Sequence, residues 1–423
     1  MRLELILPGS GKNKWPRGIN PPQLSLPLLA ALTPPDIDIT FMEEGFEDLT
    51  YKNDVDLVGI SLLTPFAPRA YEIADEYRKR GIKVVLGGIH ATALPGEAIR
   101  HADSVVVGEA ENVWPQVIDD FKTNTLKKFY RSDEPADLNH MPIPRRELSK
   151  HKTAFSPYAI QTTRGCPFSC TFCCVTRFFG GTFRSRPIKD VIREIEVADK
   201  KNWVFIDDNI IGNQDYAKRL FRELIPLKIK WIGQSSLLIA TNDELLRLAA
   251  KSGCFGLFIG FESLSPQNLA SLSKSFNKVA SYEQNIKKIH DAGIMIQASF
   301  VFGFDDDDKH VFEKTVAFLK KNSICIVSLP ILTPFPGTKL YEEMRKEERL
   351  ITQDWSKYDY GTAVYFPKRM TPEELEEGAR WAHREFYSTA SIFSRYRQNW
   401  RHPLVYFMVN WSYRAKLGMK FCG

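Results

Sequence analysis

Twice along this chain, short apolar runs alternate with stretches that carry apolar residues at helical spacing. In the first part, 3–7, 37–42, 56–61, 83–86 and 104–107 read as buried strands, and 22–32, 65–80, 97–101 and 111–121 as helices. In the second part, 159–162, 203–206, 230–234, 256–259, 295–302 and 324–332 read as strands. The helices between them are 188–200, 214–227, 243–252, 279–292 and 309–321. Such alternation predicts parallel sheets covered by helices. Ligands of these sheets bind at the carboxyl ends of the strands, so the loops there carry the candidate site residues.

The first strand of the second part runs into Thr163-Arg164-Gly165-Cys166-Pro167-Phe168-Ser169-Cys170-Thr171-Phe172-Cys173. Gly165 and Pro167 disfavour a helix, so the segment is expected to be a loop. Three thiolates within eight residues suit one face of an iron–sulfur cluster, which takes four cysteine ligands when fully ligated by protein. With three local ligands, one iron stays open for a substrate. Closely spaced cysteines also suit zinc, which needs four nitrogen or sulfur ligands. Cys254 is then the distant fourth candidate, since Cys174 points elsewhere once Cys173 binds.

The C-x3-C-x2-C spacing, with Phe172 before the last cysteine, resembles the radical S-adenosylmethionine superfamily. The resemblance implies a 4Fe-4S cluster on Cys166, Cys170 and Cys173, whose open iron chelates the methionine moiety of S-adenosylmethionine. One electron from the cluster then breaks the sulfonium–C5′ bond, and the resulting 5′-deoxyadenosyl radical attacks an unactivated C–H bond. The protein supplies position and shielding.

In the first part, Gly59-Ile60-Ser61, Gly87-Gly88-Ile89-His90 and Gly108-Glu109-Ala110-Glu111 end successive strands. Glycines there let a flat or phosphorylated ligand approach the backbone. These segments resemble the cobalamin-binding-type domain that often precedes a radical S-adenosylmethionine domain. The resemblance implies cobalamin contacts at Ser61, Gly87, Gly88 and Gly108. The string Asp-x-His-x-x-Gly, which supplies an axial histidine in the best-known form, is absent, and His90 is not read as that ligand. Its plain reading is a loop residue bonded locally.

In the second part the resemblance implies a partial (β/α)6 barrel. Glu262 and Ser263 in Gly260-Phe261-Glu262-Ser263 match the ribose-contact motif, Gly303 the glycine segment beside the adenine, and Pro334 in Thr333-Pro334-Phe335-Pro336-Gly337-Thr338 a stiffened loop facing the adenine. Asp208 in Asp207-Asp208-Asn209 is a candidate polar contact, weighed evenly against a helix cap. Arg184 and Arg186 either steady the methionine carboxylate or pair with Glu194 and Glu196, the structural role being favoured. Asp305–Asp308 reads as a solvated loop before a metal site.

The expected architecture is α/β. A doubly wound, cobalamin-binding-like parallel sheet spans 1–125, a linker 126–154, the partial barrel 155–345, and a helical, basic-aromatic extension 346–423. Thr371 caps a helix expected over 372–386. No signal peptide is read at the start, and no run reaches membrane-span length. Cysteines are absent before Cys166, which suits a reducing cytoplasm and argues against a second, N-terminal cluster of the methylthiolating type. The net charge of +6 equals the six basic residues between Ser394 and Gly423, where no acid occurs, so nucleic-acid binding is not expected. Basic and aromatic residues together suit docking on the core first, and peripheral membrane contact second. Membrane contact makes a lipid-like substrate, an isoprenoid or a tetrapyrrole, attractive.

The leading expectation is a cytoplasmic radical enzyme that methylates or rearranges an unactivated carbon of a small or lipid-like molecule. Its reductant is a protein such as flavodoxin or ferredoxin. Ring formation without methyl transfer is the alternative within the family. A non-catalytic corrinoid or metal-binding module for sensing or delivery is the alternative outside it.

Overall fold

Consecutive branched residues such as Leu57-Val58, Val84-Val85 and Val105-Val106 are all buried, yet successive side chains of a strand point to opposite faces. Both faces of the first sheet are therefore covered. The computed structural model describes residues 1–9, 23–149 and 158–416, without the side chain of Lys416. Pro22, Lys420, Cys422 and the linker residues 150–154 of the sequence reading lie outside the described residues.

Strands β1 (Arg2–Leu7), β2 (Asp38–Glu43), β3 (Leu57–Ser61), β4 (Lys83–Gly87), β5 (Ser104–Val107) and β6 (Phe129–Arg131) form this sheet in the order β2-β1-β3-β4-β5-β6. All of its pairings are parallel. Helices α1 (Ser25–Leu32) and α5 (Trp114–Lys122) cover one face, where Leu26, Ala30, Trp114 and Val117 meet Leu3, Leu57 and Val106. Helix α2 (Ala67–Lys79) covers the other, against Ile6, Val58 and Ile60. The order turns back between β1 and β3, the kind of switch point at which doubly wound sheets bind ligands.

Two local expectations change. Phe129–Arg131 pairs with β5 as a sixth strand, although the sequence reads as linker there. The helix expected over 97–101 is replaced by α3 (Ile89–Ala93) and α4 (Pro95–Ala98). Pro95 starts the second of these, where its missing N–H costs nothing.

The second sheet contains β7 (Tyr158–Ile160), then β8 (Thr163–Arg164) and β9 (Arg184–Ser185) as a separate two-stranded clasp around α6 (Cys174–Phe178). It continues through α7 (Ile188–Ala198), β10 (Asn202–Phe205), α8 (Gln214–Leu224), β11 (Lys230–Ser235), α9 (Asp243–Lys251), β12 (Cys254–Glu262), α10 (Pro266–Ser271), α11 (Tyr282–Asp291), β13 (Met295–Phe300), α12 (Val311–Lys321) and β14 (Ile326–Ser328). The six main strands lie in chain order, β7-β10-β11-β12-β13-β14, all parallel. β7 and β14 are edges, so the barrel is open.

After α13 (Lys339–Lys346) the chain returns to the first sheet. Trp355, Tyr358 and Val364 are buried with Ile6, Val58 and Ile60, and Trp355 Nε1 donates to Glu97 Oε1 at 3.0 Å. The first stretch of the expected extension therefore completes the core of the first domain. Helix α14 (Pro372–Phe386) has the expected bounds, and Thr371 forms a reciprocal capping box with Glu374. With α15 (Thr389–Arg395) and α16 (Pro403–Lys416) it packs along the β13–β14 edge of the barrel. Tyr406 and Asn410 of α16 are buried, and Arg395 donates to the carbonyls of Ile324 and Cys325 at 2.7 and 3.0 Å. Among the described residues no helix is long and apolar enough to cross a membrane.

Candidate active site

The cysteine loop leaves the carboxyl end of β7. Gly165 opens it at φ +81, and a Cβ there would stand 1.9 Å from the Thr182 carbonyl oxygen. One oxygen of Asp207 accepts from Thr162 N at 3.0 Å, Thr162 Oγ1 at 2.7 Å, Thr163 Oγ1 at 2.6 Å, and Thr163 N. Asp208 Oδ2 accepts from Gly165 N at 3.0 Å. Burial raises both carboxyls, Asp208 to about 6. The acidic run shapes the cysteine loop and caps no helix. Asn213 caps the next one by accepting from Tyr216 N.

Cys166, Cys170 and Cys173 are free, half-buried thiols on this one loop. Asn209 Nδ2 lies 4.0 Å from Cys166 Sγ. Phe172 packs on the barrel core. This donor set fits a cluster with three protein ligands. Cys254 is no fourth ligand for them: it starts β12 at the opposite end of the sheet, buried, with its thiol 3.7 Å from the Gly256 carbonyl.

At the carboxyl end of β12 the ladder slips between Gly260 and Glu262, and Glu262 takes φ +68. Its carboxylate, the expected ribose acceptor, already holds Lys274 Nζ at 2.5 Å. Burial works against that ammonium, but Glu262 raises its pKa above the ordinary lysine value. Ser263 Oγ accepts from Ser265 N at 3.0 Å. The buried Ser236 hydroxyl, just past β11, has no hydrogen-bond partner among the described residues. Gly303 has φ +100, and a Cβ on it would stand 2.2 Å from the Tyr365 hydroxyl, which donates to its carbonyl. Its bareness makes room for Tyr365. Pro334 is buried beside Phe335, whose ring enters the core of the first domain.

The loops of the first sheet converge in the same way. Leu62 N donates to Gly87 O at 3.0 Å, next to Ser61. Gly88, φ +100, leaves no room for a Cβ, which would be 2.7 Å from Leu62 O. Gly108 N donates to Thr92 Oγ1 at 2.9 Å, while a Cβ on Gly108 would meet nothing within 4 Å. That open cradle fits a large flat ligand such as cobalamin. His90 does not face it. It is fully buried, 3.3 Å from Thr64 Oγ1 and 3.3 Å from Glu97 Oε1.

The two sets of loops meet. Arg164 pairs with Glu109 at 2.7 Å and with Glu111, and Arg184 pairs with Glu109 at 2.9 Å. Helix α3 packs on α6, directly after Cys173. Arg186 pairs with Glu194 at 2.6 Å as expected, but Arg184 reaches across the domain boundary instead. In the Asp305–Asp308 run Asp305 and Asp306 are exposed, as a solvated loop requires, and Asp307 alone is buried. Asp307 accepts from Gly303 N, Phe304 N and Asn268 Nδ2 at 3.0, 3.1 and 2.8 Å. Its neighbour Asp305 pairs with Arg349 and Lys368.

Sequence reasoning missed Lys274 and Tyr360. Tyr360 sits at φ +64 with its ring 5.1 Å from that of Phe335. The residue is 46% exposed. Burial first, then Cys174 and Cys173, push the phenol up. Nothing local in the sequence marks a tyrosine so far downstream of the cysteines.

A doubly wound sheet whose glycine loops abut the cysteine loop of an open, six-stranded parallel barrel defines the radical S-adenosylmethionine enzymes that carry a cobalamin-binding-type domain. Residues 160–319 match the radical SAM superfamily model and residues 31–118 the B12 binding domain model. The chain is 34% identical to bacteriochlorophyllide d C-12(1)-methyltransferase of Chlorobaculum tepidum, across 88% of this chain and 84% of that one. It is 33% identical to the C-8(2)-methyltransferase of the same organism, across 88% and 87%. The fold matches OxsB with aqua-cobalamin bound at a TM-score of 0.71 and 17% identity, across 98% of this chain and 71% of that one. TsrM of Kitasatospora setae, with cobalamin and a [4Fe-4S] cluster bound, matches at 0.68 and 15%, across 90% and 88%. The chain belongs to the B12-binding radical SAM family. It is an enzyme that methylates or rearranges its substrate, with a 4Fe-4S cluster, S-adenosylmethionine and cobalamin as cofactors. The reading as a non-catalytic module falls.

Proposed function

We propose that the chain transfers a methyl group to an unactivated side-chain carbon of a cyclic tetrapyrrole. The observation that carries this reading is the 34% and 33% identity, over 88% of the chain, to two bacteriochlorophyllide d methyltransferases. When bound, the cluster supplies one electron for cleaving S-adenosylmethionine, and cobalamin supplies a methyl carrier. A protein donor such as flavodoxin or ferredoxin delivers the electron.

In this reading Cys166, Cys170 and Cys173 hold the cluster, and Phe172 closes one side of it. Asp207 and Asp208 fix the loop by accepting from Thr162, Thr163 and Gly165. Glu262 and Ser263 take the ribose, while Gly303 and Pro334 border the adenine. Ser61, Gly87, Gly88 and Gly108 form the corrinoid cradle. The Glu109–Arg164 pair keeps that cradle against the cysteine loop, so that substrate is held between the two and water is excluded.

The tail supports a lipid-like substrate. Trp400, Leu404, Met408 and Trp411 are exposed at 61%, 84%, 64% and 41%, Arg401 lies over the Trp400 ring and Arg414 over that of Trp411, and no acid follows Glu385. This face suits an anionic lipid surface. Co-sedimentation with phosphatidylglycerol vesicles, lost in Leu404→Ser/Met408→Ser, tests it. Equal recovery on phosphatidylcholine vesicles, or none on either, removes it.

The enzyme reading is tested anaerobically. Reconstituted protein should carry about four iron and four sulfide per chain. S-adenosylmethionine and a reductant should yield 5′-deoxyadenosine, and a chlorophyllide-type tetrapyrrole should gain one methyl group. Cys173→Ala should abolish both products, and intact cleavage in that variant removes the cysteine assignment. A tetrapyrrole product with a new ring and no added carbon would favour cyclisation, the activity named for a 25% identical anaerobic magnesium-protoporphyrin IX monomethyl ester cyclase of Cereibacter sphaeroides.

A further inference from the structure

Lys274 is a buried cation at the back of the cysteine loop. Only 9% of the residue is exposed, and among the described residues its ion-pair partner is Glu262, 2.5 Å away. It lies in the turn after α10, and this turn grips the cysteine loop at two points. Thr171 N, between Cys170 and Cys173, donates to Leu272 O at 3.2 Å. The Phe276 ring stacks on that of Phe168, centroids 3.8 Å apart and planes 17° apart. Lys274 sits between the two grips.

The turn is itself fixed. Ser273 holds φ +57, Lys274 N donates to Leu269 O at 2.8 Å, and Asn277 Nδ2 donates to Gly260 O at 3.0 Å. Gly260 leaves space for the ion pair, because a Cβ there would stand 2.2 Å from Glu262 Oε1 and 2.8 Å from Lys274 Nζ. A buried ion pair is expensive to desolvate and adds little to stability, so its retention here calls for another role.

We propose that Lys274 and Glu262 set the reduction potential of the cluster from opposite sides. The inference rests on the reading that the three cysteines hold that cluster. Reduction adds one electron, taken from an external one-electron donor, and makes the cluster more negative by one charge. Lys274 stabilises the reduced form and Glu262 opposes it, through a medium of low dielectric where such charges act strongly. Paired, they nearly cancel, which keeps the potential low enough for the electron to be passed on to S-adenosylmethionine. Lys274 acts through the cluster and touches no reacting atom.

The test is a mediator-controlled redox titration of the anaerobically reconstituted full chain, without S-adenosylmethionine. Dithionite is the electron source, and the reduced cluster is read by electron paramagnetic resonance. Lys274→Met should shift the midpoint to lower potential and Glu262→Gln to higher potential. The double variant should return towards the wild type. Midpoints that stay put, or that move the same way in both single variants, overturn the proposal. Should Lys274→Met fail to keep a cluster, Glu262→Gln decides alone: an upward shift supports the proposal, and no shift or a downward one overturns it. Failure of the underlying reading looks different, because the wild type then takes up no cluster or Cys173→Ala keeps one.

Discussion

Glu109 Oε1 accepts from Arg164 Nη1 at 2.7 Å, joining the loop after β5 to the residue two places before Cys166. The other oxygen of the same carboxylate lies 2.9 Å from Arg184. The glutamate and Arg164 are nearly buried, with side chains 9% and 7% exposed. Removing the glutamate leaves Arg164 with Glu111 alone and takes its carboxylate from Arg184, a costly loss in a nearly buried network. Glu109→Ala should therefore cost on the order of 3 kcal/mol in urea unfolding. Glu109→Met/Arg164→Met should recover part of that loss. A double variant as weak as the sum of its parts would mean the two residues act independently.

Asp207 offers a sharper contrast. All four donors meet one of its oxygens, and the other, although buried, has no partner among the described residues. Asp207→Asn keeps a carbonyl oxygen for the donors, whereas Asp207→Ala leaves them bare. Alanine should lose about 2–4 kcal/mol and most of the bound iron, with asparagine clearly milder. Iron per chain and unfolding midpoints check this. Equal losses in both variants would show that the charge, and not the acceptor, is what matters.

His290 on α11 gives a pH signature. Its Nε2 is buried without a hydrogen-bond partner among the described residues, and burial lowers its pKa to about 4 from 6.5. Between those values the unfolded chain binds the extra proton, so stability rises with pH. The contribution is whole above 6.5 and is lost as pH falls towards 4. His290→Gln should remove a slope worth about 1–3 kcal/mol across that window. Urea midpoints measured at its two ends read it out, and an unaltered slope refutes it.

Gly378 lies inside α14, where alanine is normally better by about 1 kcal/mol. Here a Cβ would stand 2.1 Å from the Phe312 ring of α12. Overpacking should win, and Gly378→Ala should destabilise by about 1–3 kcal/mol. Adding Phe312→Leu should relieve it. A Tm raised by the single variant would show that the two helices part without cost.

Much of this layout was legible locally. Five strands of the first sheet and all six of the barrel are apolar runs, and the Thr371 cap marks the start of α14. The cysteine loop declares itself by spacing. What escaped has no local mark. β6 is Phe-Tyr-Arg with only Tyr130 buried, so neither apolar run nor alternation singles it out. Lys274 looks like any surface lysine until its turn closes on the cysteine loop. Arg184 has glutamates nearby in sequence, but pairs with Glu109 from another domain. Asp307 reads as one of four solvated acids, and only the fold turns it towards the backbone of Gly303 and Phe304.

The return of Trp355, Tyr358 and Val364 to the first sheet sets a timetable for synthesis. These residues emerge from the ribosome roughly 250 residues after β5, a wait of about 12–50 s at ordinary elongation rates. Until then His90 and Glu97, which Trp355 meets, face a partner not yet made, so nascent chains halted before Trp355 should be cut by protease within the first domain. The first sheet is thus finished late, and resistance to cleavage in a chain ending before Trp355 would show that it matures alone.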